Sequence, residues 1–100
     1  MEKDLYYTEL YEVYKNLLTE NQAEVFNLYY LCDLSLGEIS DIKGISRQGV
    51  SDNIVKTREL LDDYEKKLNL LKIKRSLNEI IQSVEDSEAR KKLLEVIGEL

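Results

Sequence analysis

Between residues 3 and 18, Leu5, Tyr6, Leu10, Val13, Tyr14, Leu17 and Leu18 recur at steps of three and four, with Glu9, Glu12 and Lys15 on the opposite side. That spacing predicts an amphipathic first helix. Thr19 is followed three residues later by Gln22, a capping box in which each side chain satisfies an orphan backbone N–H of the other residue, so a second helix starts there. It runs through "ENQAEVFNLYYL" and buries Val25, Phe26, Tyr29 and either Tyr30 or Leu28, until Asp33 breaks the pattern. Ser35 and Glu38 repeat the capping box ahead of a short third helix, about Leu36 to Ile42. Gly44 can take the positive φ of a tight turn between helices, and Ser46 caps the next helix.

From Val50 the apolar positions step by four and three through Ile54, Thr57, Leu61, Tyr64, Leu68 and Leu71. This heptad-like seam, with Thr57 its one weak member, predicts a long fourth helix running unbroken to near residue 70. Leu77, Ile80, Ile81 and Val84 continue a helix, Ser87 is placed to cap another, and Leu93, Val96, Ile97 and Leu100 supply its inner face. The expected fold is all-α, a compact helical domain over residues 1–100. Within it a helix-turn-helix spans about residues 36 to 58 and a C-terminal helical extension about residues 73 to 100.

Composition narrows the chemistry. Apolar residues make up 43% of the 100 and charged residues 34%, with 4 Gly and no Pro, enough to bury one small core and short of the residues that punctuate β-turns. The absence of His excludes Cys/His zinc sites and the usual imidazole base. Cys32 is a lone cysteine, expected as a small apolar side chain on a helix face. No run approaches the roughly 18 apolar residues of a spanning helix, and the amino terminus "MEKDLYYTEL" is acidic. The expectation is a cytoplasmic, unprocessed protein with no membrane segment.

Residues 35–64, "SLGEISDIKGISRQGVSDNIVKTRELLDDY", have the spacing of a helix-turn-helix: a short helix with small Ser40 inward, a turn with Gly44, apolar Ile45, and a helix anchored by Val50 and Ile54. Arg47, Gln48, Ser51, Asp52 and Lys56 fall on the face away from that anchor, with Asn53 at its border. Arg or Gln there can hydrogen-bond base edges in a major groove, and the backbone N–H groups beneath Ser46 can hold phosphate. The chain carries a net charge of -6. Residues 1 to 42 sum to -7 and residues 43 to 58 to +3, so the sole net-positive segment is the candidate recognition helix. Three excess charges make a small electrostatic footprint.

The stretch "LTENQAEVFNLYYLCDLSLGEISDIKGISRQGVSDNIVKTRELL" resembles the helical segment with which bacterial sigma factors read the -35 promoter element, and more closely the YlxM family of helix-turn-helix proteins. The resemblance covers nearly the whole chain, and "ISRQGVSDNI" is its most specific piece. Members of that family are encoded beside the GTPases of the signal recognition particle, which implies a regulatory link to co-translational targeting with protein or RNA components of the particle as partners. Two positions depart from the motif. Lys43 stands where a buried apolar residue is usual before the Gly, and its methylenes can cover the seam. Gly49 replaces the expected Ala, which costs about 0.5–1 kcal/mol of helix stability.

The remaining features read as structure. Four of the seven Tyr lie in residues 6 to 14, but a base-stacking platform sits beside a basic groove and this helix is surrounded by Glu; packing in the core or an interface is the expected role. Adjacent carboxylates such as Asp62 with Asp63 and Glu85 with Asp86 point about 100° apart on a helix. With no nucleophile and base in a pair, no Gly-rich phosphate loop and no metal cluster, no catalytic residue, cofactor or metal is expected, and the chain is not read as an enzyme. Two functions remain: a nucleic-acid-binding regulator with duplex DNA as partner, or a protein-interaction module that uses the helix-turn-helix as scaffold. The seam and the Tyr-rich helix further suggest a homodimer, unless the carboxy-terminal helices fold back over the seam.

Overall fold

Five of the six α-helices among the described residues begin where a short polar side chain, Asp4, Thr19, Ser35, Ser46 or Asp86, takes up orphan backbone N–H groups. The computed structural model describes residues 3–100, and over that span the chain forms α1 (Leu5–Tyr14), a 3-10 turn (Lys15–Leu17), α2 (Glu20–Tyr30), α3 (Leu36–Lys43), α4 (Arg47–Leu68), α5 (Leu70–Gln82) and α6 (Ser87–Gly98), with no strand among the described residues. The first helix is shorter than its periodicity. Asp4 is extended and accepts the Tyr6 N–H, so the helix starts at Leu5, and a non-helical Tyr14 (φ -111, ψ 2) tightens the next three residues into the 3-10 turn. Both predicted capping boxes form, with all four bonds at 3.1 Å: Thr19 with Gln22, and Ser35 with Glu38. At α6 the cap is Asp86 rather than Ser87. Its carboxylate accepts two N–H groups, from Glu88 at 2.9 Å and Ala89 at 3.2 Å, where a Ser hydroxyl generally serves one.

The fourth helix runs through the seam as far as Leu68 and stops at Asn69, whose left-handed φ of +55 turns the chain and leaves Leu71, the last seam residue, in α5. Val50, Ile54, Thr57 and Leu61 are fully buried within this one chain. They face two cores. Val25, Tyr29, Ile39, Val50 and Ile54 form one, and Leu10, Tyr11, Tyr14, Phe26, Leu61 and Leu71 the other, with Tyr30 packed against both. The expectation that the seam and the Tyr-rich helix offer spare surface for a second copy is therefore corrected. Helices α1, α2 and α3 cover the seam, and the rings of Tyr11, Phe26 and Tyr30 stack in series with centroids 5.3 and 4.3 Å apart. Both Leu28 and Tyr30 turn out half-buried. Cys32 also departs from expectation: it lies exposed in the loop after α2, beside Asp33, which holds a left-handed φ of +56 with its carboxylate 2.8 Å from the Lys3 ammonium.

The α4–α5 joint is closed by side chains from two helices. Glu65 accepts the Leu71 N–H at 3.0 Å, the Lys72 N–H at 3.1 Å and the Tyr14 hydroxyl at 2.5 Å, while that hydroxyl oxygen accepts the Leu70 N–H at 3.0 Å. The first N–H groups of α5, which have no partner inside the helix, are thus all taken up. Burial, and next the bond to Glu65, push the Tyr14 hydroxyl up to about 12. Beyond the joint, α5 crosses α1, with Arg75 paired to Glu9, and α6 returns alongside it. The whole measures 53 × 25 × 23 Å.

Candidate nucleic-acid interface

Three backbone devices set the angle between α3 and α4. Gly44 adopts φ +67, and its N–H and that of Ile45 both reach the Ser40 carbonyl, at 2.9 and 3.3 Å. Ser40, turned inward, returns its hydroxyl to the Ile45 carbonyl at 2.5 Å. Ser46 then accepts the Gly49 N–H at 2.9 Å and opens α4. Behind the turn, Ile39, Val50 and Ile54 are fully buried against Val25 and Tyr29, so packing holds the two helices in one geometry.

A Cβ on Gly49 would stand 3.2 Å from the Ser46 hydroxyl and 3.7 Å from Ile45 Cδ1. The glycine leaves room for the cap that starts its own helix. It still lowers helix propensity.

Of the five candidate contact residues, Arg47, Gln48, Asp52 and Lys56 are exposed on α4 and Ser51 is half-buried beside them. At about 100° per residue they spread over half the helix circumference, with Gln48, Asp52 and Lys56 on the side away from Val50 and Ile54, Ser51 at its flank and Arg47 nearest the buried side. Gln48 donates to the Asp52 carboxylate at 2.8 Å, one turn on, so these two form a ready-made polar pair. Arg47 folds back over α3, where its guanidinium would stand 3.0–3.1 Å from a Cβ on Gly37; a glycine there lets it lie flat. Lys56 makes no ion pair among the described residues. Asn53 is half-buried, its Oδ1 buried without a hydrogen-bond partner.

The net charge of the segment overstates what is exposed. Lys43 is half-buried with its ammonium 3.0 Å from Glu24, which is how a lysine occupies the apolar position before Gly44. Arg58 lies over the Tyr7 ring at 4.3 Å, a cation–π contact, and the Tyr7 hydroxyl donates to Asp62 at 2.9 Å. Arg47 and Lys56 therefore carry the outward positive charge. Periodicity alone missed Val55, which is 43% exposed on the outer side of α4; it falls outside the 50-54-57-61 inner series, and that was the signal for it. An apolar side chain there suits contact with a thymine methyl.

Comparison with known families decides the wider assignment. Residues 1–99 match the family described as "Putative helix-turn-helix protein, YlxM / p13 like", UPF0122. The chain belongs to this family. It is 46% identical over 87 residues to a UPF0122 protein of Caldanaerobacter subterraneus subsp. tengcongensis, covering 86% of this chain and 74% of the relative. A UPF0122 protein of Halalkalibacterium halodurans is 42% identical over 87 residues, covering 87% and 80%. One from Bacillus cereus is 39% identical over an alignment of 108 positions, covering 100% and 98%. The family is described by its helix-turn-helix and not by an enzymatic activity. Among the described residues there is no group of three or more His, Cys, Asp or Glu side chains placed to hold a metal ion, and no helix long and apolar enough to cross a membrane.

Proposed function

We propose that the chain is a nucleic-acid-binding regulatory protein that docks the outer side of α4 on duplex DNA. Arg47, Gln48, Ser51, Asp52 and Lys56 are its contacts. The observation that carries this reading is the capped, exposed amino end of α4, held by the buried Val50, Ile54 and Ile39 so that polar side chains point away from the body. Docked in a major groove, Arg47 swings off Gly37 to a guanine edge or a phosphate, Lys56 binds the backbone, and the Gln48–Asp52 pair reads base-edge donors and acceptors. The molecule works as one helical unit, as a homodimer and in the cytoplasm, where the family resemblance connects it to the signal recognition particle pathway.

The test compares Arg47→Ala with Arg90→Ala in salt-titrated binding to duplex DNA. Arg47 belongs to the net-positive segment and Arg90 to a charge-balanced tail, so Arg47→Ala is expected to weaken binding more. A base contact shows as a loss of about 1–3 kcal/mol of discrimination between sequences, and a phosphate contact as a uniform loss with a flatter salt dependence. Wild-type protein that binds no DNA at low salt refutes the reading. The second reading, a protein-interaction module of the same pathway, is favoured by the Lys43–Glu24 pair and the stacking of Arg58 on Tyr7, which withdraw two of four basic side chains from the surface. Parallel titration against signal-recognition-particle RNA and its protein components separates the two.

A further inference from the structure

We propose that two copies of the chain associate through the exposed side of α5, antiparallel about a two-fold axis. The proposal rests on the homodimer reading above and adds its surface. Ile73, Leu77 and Ile80 follow one another at spacings of four and three, and Val84, in the turn just past the end of α5 with its N–H on the Ile81 carbonyl at 3.0 Å, adds a further step of four. At 3.6 residues per turn the three helical positions fall within an arc of about 60°. Ile73 is 45% and Ile80 58% exposed, with Leu77 and Val84 half-buried. The rest of α5 is already engaged: Leu71 lies in the core of the body, Ile81 is buried in the hairpin, and Arg75 is paired with Glu9.

A second copy fits this stripe better than an unrelated partner because the pattern is its own complement. A four-three-four spacing reads the same in both directions. An antiparallel copy therefore sets Ile73 against Val84 and Leu77 against Ile80, apolar on apolar at each level, as in a short coiled-coil seam. Charge chooses the same direction. Lys72 and Lys74 open α5, whereas Glu79 and then Glu85 and Asp86 follow toward its far end. Antiparallel pairing lays the basic start of one helix along the acidic end of the other, and parallel pairing would bring like charges together. Of the two surfaces that sequence spacing offered for self-association, the seam from Val50 to Leu61 and the core side of the Tyr-rich helix are filled within the chain, leaving only scattered exposed residues such as Leu5 and Leu68.

The stripe is also well separated from the nucleic-acid face. Helix α4, with 22 residues, is about 33 Å long, and its amino end carries the contact residues while α5 leaves from its carboxy end. Dimerisation then needs no nucleic acid and leaves both recognition helices open. Sedimentation equilibrium of the full chain, without nucleic acid, tests this with wild type, Ile80→Glu, Ile73→Glu and the control Leu5→Glu, which changes an exposed residue outside the stripe. Circular dichroism confirms that each variant keeps its helices. The expected result is a wild-type dimer whose dissociation constant rises about ten- to a hundredfold in both stripe variants and stays unchanged in the control. A wild type that remains monomeric at high micromolar concentration overturns the homodimer itself and leaves the stripe to another protein. A dimer that survives both stripe variants overturns this surface alone.

Discussion

In the body formed by α1 to α4, Leu10, Val25, Phe26, Ile39, Val50, Ile54 and Leu61 are fully buried, whereas in the α5–α6 hairpin Ile81 and Ile97 are the buried side chains once Leu71 is assigned to the body. Both regions carry apolar residues every three or four positions. The difference lies in how many elements meet. Helix α4 packs against α1, α2 and α3 together, so its seam is enclosed from Val50 to Leu61, while α5 and α6 have mainly each other. Two helices alone can bury the stripe between them and little else. Ile73, Ile80, Leu94 and Val96 accordingly stay exposed, and periodicity is seen to promise a partner without saying which chain supplies it.

The sharpest way to break this comparison is to cut one large side chain from each region. Phe26→Ala, in the stacked centre of the body, is expected to lower unfolding free energy by about 3–5 kcal/mol. Ile97→Ala, in the hairpin, is expected to cost about 2 kcal/mol or less and to act locally, with faster hydrogen exchange in α6 and little change in α2 and α4. Denaturant unfolding combined with exchange reads both. Equal global costs would mean that body and hairpin unfold as one unit.

A smaller effect is expected at the joint between the regions. Glu65→Ala strips the partners from the Leu71 and Lys72 N–H groups and from the Tyr14 hydroxyl, at about 1–3 kcal/mol. Tyr14→Phe leaves Glu65 bound to the Leu71 and Lys72 N–H groups and removes the Leu70 acceptor together with the hydroxyl's own bond to Glu65, at about 1 kcal/mol. Both should appear as increased exchange at the start of α5. Exchange that rises in α2 instead would show that Tyr14 serves the body rather than the joint.

The same hydroxyl predicts an alkaline response. Burial raises the Tyr14 pKa to about 12 in the folded chain, above the value of about 10 of an unfolded tyrosine. The folded state then holds the proton more tightly. Its stabilising contribution is complete below pH 10 and is lost as pH rises from there through about 12. Comparing wild type with Tyr14→Phe across that range isolates the effect, which should be absent from the variant's difference profile. Smallest of all, Lys92→Ala removes an exposed pair with Glu88 at 4.0 Å on α6 and should shift stability by no more than about 0.5 kcal/mol in thermal melts.

Local rules were legible wherever a side chain acts on backbone a few residues away. The capping boxes at Thr19 and Ser35, the cap at Ser46, the left-handed Gly44 and the end of α4 near residue 70 all follow from such short-range chemistry. The inward Ser40 and the snorkelling Lys43 were readable too. Less legible were features fixed by distant partners. Ser87 and Asp86 are both good caps in isolation, and the turn geometry selected Asp86. Cys32 follows an apolar run, yet the hydrogen bonds that close α2 leave it outside the helix. At the candidate interface all five contact positions could be placed on α4, but the withdrawal of Lys43 to Glu24 and of Arg58 to Tyr7 could not be foreseen, since Glu24 and Tyr7 are 19 and 51 residues away in the chain.

By itself, then, the order of residues determined the all-helical class, the capped starts of α2, α3 and α4 and the motif of α3 and α4, because capping and periodicity act over three or four positions and need no knowledge of the fold. Tertiary structure decided which apolar face is consumed. The seam of α4 and the stripe of α5 look alike as patterns, and only the arrival of α1, α2 and α3 over one of them, with none over the other, separates a core from a surface left exposed.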